Sequence, residues 1–377
     1  MFFSNSNIPP LLFFFLILLS CKRDNNPTIG PAPTIPEFED LSSIPYDPAP
    51  VDLFIPAPLP QMTVPMDNPL TEDGIELGRF LFYDPILSGN ETMACANCHL
   101  PKGGFTDNLA FSTGVDGSVG LRSSMSLINA AYFTKGLFWD GRIQTLEAQA
   151  LLPVEDPIEL HNNWEDVEVK LRKHNDYPTR FRKAFGINNA SEITKELAVK
   201  AIAQFERSLV SANSKYDRVM RKEAFFDDDE LNGFELFFDF PNDLPDAECG
   251  HCHNAPLFTT NQYFNNGLDS VGTLEDFKDK GLGAVTNNLF DNGKFRAPSL
   301  RNIALTAPYM HDGRFQTLDE VIDHYNEGAH FADNIDPLIR PEGMGLSEQH
   351  KKDLIAFLHA LTDTSFVNNP AYQNPFE

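Results

Sequence analysis

The chain has 377 residues, of which 42% are hydrophobic and 22% charged, an ordinary globular composition with length enough for two domains. Its 54 acidic and 29 basic residues give a formal net charge of -25 at pH 7, which disfavours nucleic acid and anionic membrane surfaces as partners. The acidity fits two alternatives, a basic protein partner or a solvated surface that keeps an exported protein soluble.

The N-terminus has the pattern of an export signal. Residues 11–19 form an apolar run that is too short to span a bilayer as a mature helix. The run leads into Ser20-Cys21, which resembles a bacterial lipoprotein box, in which the cysteine becomes the lipid-modified first residue. No Lys or Arg precedes the run, so an ordinary signal peptide with a chance cysteine is the alternative. We therefore predict a lipoprotein-type signal over residues 1–21 and a periplasmic protein whose only membrane contact is a lipid anchor at Cys21.

A segment rich in Pro, Asn and Asp follows over residues 22–69, with few periodic apolar residues. This composition predicts a tether between the lipid anchor and the folded part, which we expect to begin near residue 70. A lipid-anchored protein needs such a spacer to clear the membrane surface.

Two segments of similar pattern precede the two cysteine pairs of the folded part. Residues 76–84 and 232–239 both place large apolar residues at helical spacing and end in an aspartate, and the next cysteine follows 11 and 10 residues later. The repeat predicts two similar units over residues 70–222 and 223–377. Each unit should have a first helix, a loop that holds the cysteine pair, and further helices.

Two amphipathic helices are predicted at the ends of these units. The first runs from Thr194 to about Met220 and has large apolar residues on one side. The second begins after Ser347, a favourable N-cap residue, and carries apolar residues over 354–361. Strand patterns are weak throughout, so the predicted fold is mostly α with long loops.

Four of the five cysteines form two Cys-x-x-Cys pairs, and a histidine follows each pair directly. The two motifs are Cys95/Cys98/His99 and Cys249/Cys252/His253. Alone, a Cys-x-x-Cys pair suits zinc, a redox disulfide or haem. Two thiols can add to the two vinyl groups of haem while the next imidazole reaches the iron, which requires this order and spacing. We therefore predict two covalently attached haem c groups, with His99 and His253 as the proximal iron ligands.

The sequence around these motifs resembles the bacterial di-haem cytochrome c peroxidase family, which includes the MauG-like enzymes. The resemblance runs from about residue 70 to 363 and is strongest in five segments. They are Phe138–Arg142 (FWDGR), Leu146–Ala150 (LEAQA), Pro153–Leu160 (PVEDPIEL), Phe295–Asn302 (FRAPSLRN) and Leu305–Arg314 (LTAPYMHDGR). It implies two class-I-cytochrome-c-like haem domains, with peroxide reduction at the N-terminal haem and electron entry at the C-terminal haem.

The resemblance also implies a function and its partners. The expected reaction is the reduction of hydrogen peroxide to water with electrons from a small periplasmic cytochrome c or cupredoxin. Two alternatives stay open, namely a MauG-like oxidase that modifies another protein and a non-catalytic di-haem electron carrier. The oligomeric state, monomer or homodimer, is open as well.

Three residues match catalytic positions of that family. Glu159 matches the distal acid–base group, which can move a proton between the two oxygens of peroxide. Gln149 matches a pocket residue that orients peroxide or water. Trp139 matches the aromatic residue between the haems, where an indole can pass an electron. A solvated surface acid and a core tryptophan are the structural alternatives for Glu159 and Trp139.

The resemblance defines the sixth ligand of the second haem less sharply. Tyr325 aligns where peroxidases usually have methionine and MauG-like members have tyrosine. Met344 and Met310 are the competing ligands, because methionine is a common partner of histidine on electron-transfer haems. His311 matches a motif that lies near the second haem or its propionates.

Two further expectations follow from the resemblance. A calcium ion between the domains is implied, with Thr306 and Pro308 matching its carbonyl ligands and Ser123 standing where the family has an asparagine. The distal histidine of many members falls near Val115 here, and no histidine occurs from residue 100 to 160. The first haem iron should therefore lack a histidine as its sixth ligand.

Overall fold

The computed structural model describes residues 38–240, 245 and 247–377. The predicted signal over residues 1–21, the predicted anchor at Cys21 and the first part of the predicted tether, residues 22–37, lie outside the described residues. Within the part of the chain that the structure describes, no helix is long and apolar enough to cross a membrane.

Helices joined by long loops make up the fold, as the sequence predicts. The N-terminal half contains α1 (Glu72–Tyr83), α2 (Leu146–Glu155), α3 (Trp164–Lys173), α4 (Tyr177–Phe185), α5 (Lys195–Ser208) and α6 (Lys215–Met220). The C-terminal half contains α7 (Asp228–Phe237), α8 (Cys249–Cys252), α9 (Leu282–Thr286), α10 (Leu318–Glu327), α11 (Glu348–Ala360) and α12 (Thr364–Val367). Strand β1 (Tyr263–Phe264) pairs antiparallel with β2 (Phe295–Arg296), with Tyr263 opposite Arg296.

The first helix of each half crosses a later helix at a glycine. Helix α1 packs against α5 at Gly78, where an added Cβ atom would lie 1.9 Å from the carbonyl oxygen of Ala201. Helix α7 packs against α11 at Gly233, where an added Cβ atom would lie 1.9 Å from the carbonyl oxygen of Asp353. A larger residue would force either pair of helices apart. The shared close approach makes α1–α5 and α7–α11 equivalent pairs, which agrees with the repeat expected from the sequence.

A second repeated segment leads into α2 and α10. Residues 137–146 and 309–318 both contain Asp-Gly-Arg-x-Gln-Thr-Leu, and each segment closes a small loop through a backbone bridge. In each case the threonine of the repeat caps the helix that follows. The residues directly before the repeat are Trp139 and His311, which therefore occupy equivalent positions in the two halves.

The helix predicted from Thr194 to about Met220 is two helices, so this prediction is wrong in its extent. Helix α5 ends at Ser208, and α6 begins after Ser214, whose side chain accepts a hydrogen bond from the backbone of Asp217. The backbone between them turns because the buried Asp363 carboxylate accepts hydrogen bonds from residues 211–213. Local capping and a distant carboxylate thus outweigh the amphipathic pattern.

Residues 38–69 differ from the free tether that composition predicts. Leu41 is fully buried in the N-terminal core, and Ile55 and Leu59 are buried in a smaller cluster with Tyr132. The Asn68 side chain donates a hydrogen bond to the carbonyl oxygen of Lys200 in α5. A few well-spaced apolar residues are enough to hold a proline-rich segment against a preformed surface.

Candidate haem sites and active site

The two cysteine pairs lie in short helical turns that follow the first helix of each half after a loop. The N–H of His99 donates to the carbonyl oxygen of Cys95 at 3.1 Å, and the N–H of His253 donates to that of Cys249 at 2.9 Å. No disulfide bond joins these four cysteines. Burial raises the pKa of Cys95 and Cys249 to about 12, so both thiols are protonated at neutral pH. The same turn therefore presents two thiols and one imidazole in each half.

Both histidines have one ring nitrogen fixed by a backbone carbonyl. His99 Nδ1 lies 2.9 Å from the carbonyl oxygen of Phe105, and His253 Nδ1 lies 3.0 Å from that of Pro298. A carbonyl oxygen only accepts hydrogen bonds, so Nδ1 carries the proton and Nε2 keeps its lone pair. Burial also lowers the pKa of both imidazoles, which favours the neutral form. A neutral imidazole with a fixed tautomer is the form that binds iron, so both sites fit a haem.

A cavity of about 240 Å³ lies beside the second cysteine pair. Its wall is mostly apolar and includes Cys249, Cys252 and His253. The structure also brings to this wall all the predicted ligands and neighbours of the second haem, namely Tyr325, Met344, Met310 and His311. An apolar cavity with two thiols and one imidazole on its wall suits a covalently bound haem.

The candidate sixth ligands differ in their hydrogen bonding. The Asn266 side-chain amide donates to the Tyr325 hydroxyl at 3.1 Å and contacts the Met310 sulfur at 3.5 Å. Burial raises the pKa of Tyr325 to about 12, so its hydroxyl is neutral in the protein alone. Met344 lies on the same cavity wall. All three residues line one cavity, and the sixth ligand stays a prediction.

Glu159 lies in the turn after α2. Its backbone carbonyl accepts a hydrogen bond from the Val115 N–H at 2.8 Å, which fixes this turn against the loop before it. Burial raises the pKa of Glu159 to about 7, and the nearby Asp156 charge adds to the increase. The Glu159 charge in turn raises the pKa of Cys95 and Cys98, so the carboxyl group lies close to the first cysteine pair. The Glu159 residue is exposed to solvent, yet protein atoms surround its carboxyl group densely enough to raise its pKa.

Gln149 is half-buried on α2. Its side-chain amide makes no hydrogen bond to the residues that the structure describes, whereas its backbone N–H bonds to Thr145. The amide is therefore available to bind a small polar molecule.

Trp139 belongs to the N-terminal half but lines the second cavity. Its indole N–H donates to the carbonyl oxygen of Ser123 at 2.9 Å, and its ring stands edge-on to His311 with 6.5 Å between ring centres. Met125, two residues after Ser123, lines the same cavity, and its backbone lies beside the His99 ring. Residues 123–125, to which the indole of Trp139 is hydrogen-bonded, therefore reach from the second cavity to the His99 ring.

The loop that carries Val115 is hydrogen-bonded to the turn that carries Glu159. Its neighbour Asp116 pairs with the Nδ1 atom of His161. His161 is the first histidine in the chain after His99, and its Nδ1 atom is engaged in this contact. Val115 itself has an apolar side chain, so this loop supplies no strong iron ligand near the first motif.

Two residues of the predicted calcium site use their hydroxyl groups in hydrogen bonds to backbone carbonyls. The Ser123 hydroxyl donates to the carbonyl oxygen of Met310 at 3.1 Å, and the Thr306 hydroxyl donates to that of Ile303 at 3.1 Å. Pro308 lies on the wall of the second cavity. Among the described residues, no group of three or more His, Cys, Asp or Glu could hold a metal ion. A calcium site of carbonyl oxygens stays a prediction.

The cavity wall also includes residues that were not predicted from the sequence, namely Asn266, Met125 and Arg296. Asn266 and Met125 fall in no motif, so their approach to the cavity follows only from the fold. Arg296 stands inside the FRAPSLRN segment, and its position in that segment was the available signal.

The chain is similar to known di-haem cytochrome c peroxidases and MauG-like proteins. The family model described as di-haem cytochrome c peroxidase matches residues 72–224. The chain is 36% identical to cytochrome-c peroxidase IdrP1 of Denitromonas iodatirespirans, over 81% of this chain and 86% of that protein. It is 34% identical to the methylamine utilization protein MauG of Methylorubrum extorquens, over 79% of this chain and 80% of that protein. A solved MauG-like protein associated with microbial copper homeostasis is 35% identical, with a TM-score of 0.80, and the match covers 87% of this chain and all of that one.

Proposed function

The chain belongs to the di-haem cytochrome c peroxidase family. On this basis we propose which of its residues bind the haems and which take part in catalysis. It is a haem-dependent oxidoreductase, and its family implies two haem c groups. We assign one haem to Cys95, Cys98 and His99 and the other to Cys249, Cys252 and His253. The observation that carries this assignment is the matched pair of imidazoles, each with Nδ1 held by a backbone carbonyl.

The two halves take different parts in the proposed reaction. Residues 70–222 form a cytochrome-c-like domain for peroxide reduction, and residues 223–377 form one for electron entry. The repeated glycine crossing of α1 with α5 and of α7 with α11 supports two domains of common origin. The Glu159 turn beside the first cysteine pair supports the peroxide site in the first domain. The apolar wall of the second cavity suits an electron-transfer haem.

Glu159 and Gln149 handle the peroxide in this proposal. When bound through His99, the haem supplies the iron at which peroxide is reduced. Glu159 accepts the proton from one peroxide oxygen and returns it to the other, so that the second oxygen leaves as water. A pKa near 7 lets one carboxyl group do both, because the acid and its conjugate base are both populated at neutral pH. The free amide of Gln149 orients the peroxide by hydrogen bonding.

Trp139 is proposed to pass electrons between the two sites. We expect Trp139→Phe to slow electron delivery from the second haem by about tenfold, because phenylalanine keeps an apolar ring but removes the easily oxidised indole. Reaction of peroxide with the first haem should be unchanged. Stopped-flow absorbance with a pre-reduced second haem measures both steps.

Trp164→Phe is the matched control, since it removes the chain's other tryptophan. That indole is buried in the N-terminal core and donates to the carbonyl oxygen of Leu151. Equal electron-delivery rates in the Trp139 variant and the wild type would leave Trp139 as a packing residue only.

The assignment of the haems predicts their number and position. The purified chain should have the mass of two haems added, and this addition should survive denaturation because thioether bonds are covalent. Cys249→Ala combined with Cys252→Ala should leave one haem, and the same change at Cys95 and Cys98 should leave the other. A pyridine haemochrome assay with peptide mapping gives both results. A single haem per wild-type chain would refute the assignment.

Tyr325 is our proposed sixth ligand of the second haem. The Asn266 amide that donates to its hydroxyl stabilises negative charge on that oxygen, which favours a tyrosinate ligand. The same contact supports a second candidate function, a MauG-like oxidation of a protein side chain, because tyrosine at this position marks MauG-like members. Peroxidase remains the leading function, since most of the similar proteins, IdrP1 among them, are cytochrome c peroxidases.

The remaining proposals concern place and partners. We propose export to the periplasm with a lipid anchor at Cys21, which lies outside the described residues. The electron donor is a small cytochrome c or cupredoxin. A donor with a basic face would be attracted by the net charge of -25. We also propose a calcium ion bound near Thr306 and Pro308. The oligomeric state that we propose is a homodimer.

A further inference from the structure

Arg296 is a buried cation that the proposed reaction does not use. Its residue is 2% exposed, and it lies on the wall of the second cavity. The hydrogen-bond and ring contacts of its guanidinium come from the N-terminal half, and none of these contacting groups is charged. The guanidinium carbon lies 4.0 Å from the centre of the Phe133 ring. One terminal nitrogen donates to the carbonyl oxygen of Gly136 at 3.0 Å, and the other contacts the Met125 sulfur at 3.4 Å.

No carboxylate neutralises this guanidinium among the described residues. Its Nε–H has no hydrogen-bond partner there either, although the atom is buried. Burial lowers the pKa of Arg296 to about 10, which still leaves the group charged at neutral pH. A buried charge with an unused donor destabilises the folded protein unless a counter-ion is present.

The other two arginines on the same cavity wall each have the carboxylate partner that Arg296 lacks in the described part of the chain. Arg301, five residues later in the same segment, makes two hydrogen bonds to the buried Asp217 carboxylate at 2.8 and 2.9 Å. Arg340 pairs with Glu248, the one acidic residue on the described wall. Both of these cations have a protein counter-ion. The counter-ion of Arg296 must therefore come from the occupant of the cavity.

We propose that Arg296 binds a propionate carboxylate of the haem attached at Cys249 and Cys252, and thereby raises the reduction potential of that haem. This inference rests on the proposed haem attachment. A haem carries two propionates, and a guanidinium is the side chain best suited to bind a carboxylate through two hydrogen bonds. A cation beside the haem favours the reduced form, which has one less positive charge. Since Arg296 is held by Phe133, Gly136 and Met125, the bond would also fix the second haem against the N-terminal half.

The test is a redox titration of the holoenzyme with three variants. Arg296→Gln removes the charge, and Arg296→Lys keeps it. Arg218→Gln makes the same change in net charge at an exposed site on α6 and serves as the control. Haem content is counted first for each protein. We expect Arg296→Gln to shift the reduction equilibrium of the second haem about tenfold towards the ferric form, which is 59 mV for one electron. Arg296→Lys and Arg218→Gln should stay close to the wild type.

The outcomes separate this inference from the proposed function. A wild-type chain with one covalent haem would refute the function and the inference together. Two haems, with Lys and Gln variants that behave alike, would overturn the role of Arg296 and leave the function intact. The role of Arg296 is overturned if both variants match the wild type, if both shift the potential equally, or if both lose the second haem. In each case the charge at residue 296 would not decide the result.

Discussion

Glu159→Gln slows peroxide cleavage by on the order of 10²–10⁴-fold, with both haems still attached, because glutamine can neither accept nor return the peroxide proton. The wild-type rate should also rise with pH through about 7, the pKa to which burial raises Glu159. The rate rises with pH because only the ionised carboxylate can accept the peroxide proton in the first step. Glutamine should abolish that rise, since an amide does not titrate in this range.

Glu155→Gln is the matched control for this experiment. Glu155 is an exposed acid at the end of α2, four residues before Glu159. It should leave both the rate and the pH profile unchanged. Stopped-flow measurement of peroxide consumption from pH 5 to 9 compares the three proteins. Wild-type rates in the Glu159 variant would show that another group moves the proton.

The fully oxidised enzyme should react with peroxide without prior reduction. The loop that holds a distal histidine in many family members has Val115 at that position, and no histidine occurs from residue 100 to 160. The Val115 N–H is bonded to the Glu159 carbonyl, and Asp116 pairs with His161, so the loop is held in place by its own contacts. The first haem iron is therefore expected to be high-spin ferric at rest.

Electron paramagnetic resonance of the oxidised protein, followed by one addition of peroxide, measures this state. Val115→His is a direct comparison, since it restores an imidazole at the family's position. That variant should become low-spin and should react only after one-electron reduction. Two low-spin ferric haems in the wild type, inert to peroxide, would mean that a ligand arrives from another part of the chain. His161 would then be the first residue to replace.

Features with a local cause were predictable from the sequence. The helices before each cysteine pair form where the apolar spacing indicates, and Ser347 caps α11 as expected. The Cys-x-x-Cys-His motifs depend on a fixed order of neighbouring residues, so they can be recognised without the fold. The equivalence of Trp139 and His311 was also present in the sequence, in the repeated Asp-Gly-Arg-x-Gln-Thr-Leu pattern.

Features that depend on distant partners were not predictable. The break after Ser208 depends on the Asp363 carboxylate, which lies far along the chain. Residues 38–69 pack because a surface is already present to receive their few apolar side chains. The missing counter-ion of Arg296 becomes visible only when every residue around the guanidinium is known.

The ratio of donor oxidised to peroxide consumed tests the central claim most directly. Reduction of one hydrogen peroxide to two waters takes two electrons and two protons, so the purified holoenzyme should oxidise two molecules of a reduced one-electron cytochrome per peroxide over many turnovers. A MauG-like protein oxidase would consume peroxide without matching donor oxidation, and a pure electron carrier would consume none. We predict a ratio of two in steady state. Peroxide loss that stops after one equivalent per enzyme, with the donor still reduced, would contradict the peroxidase account.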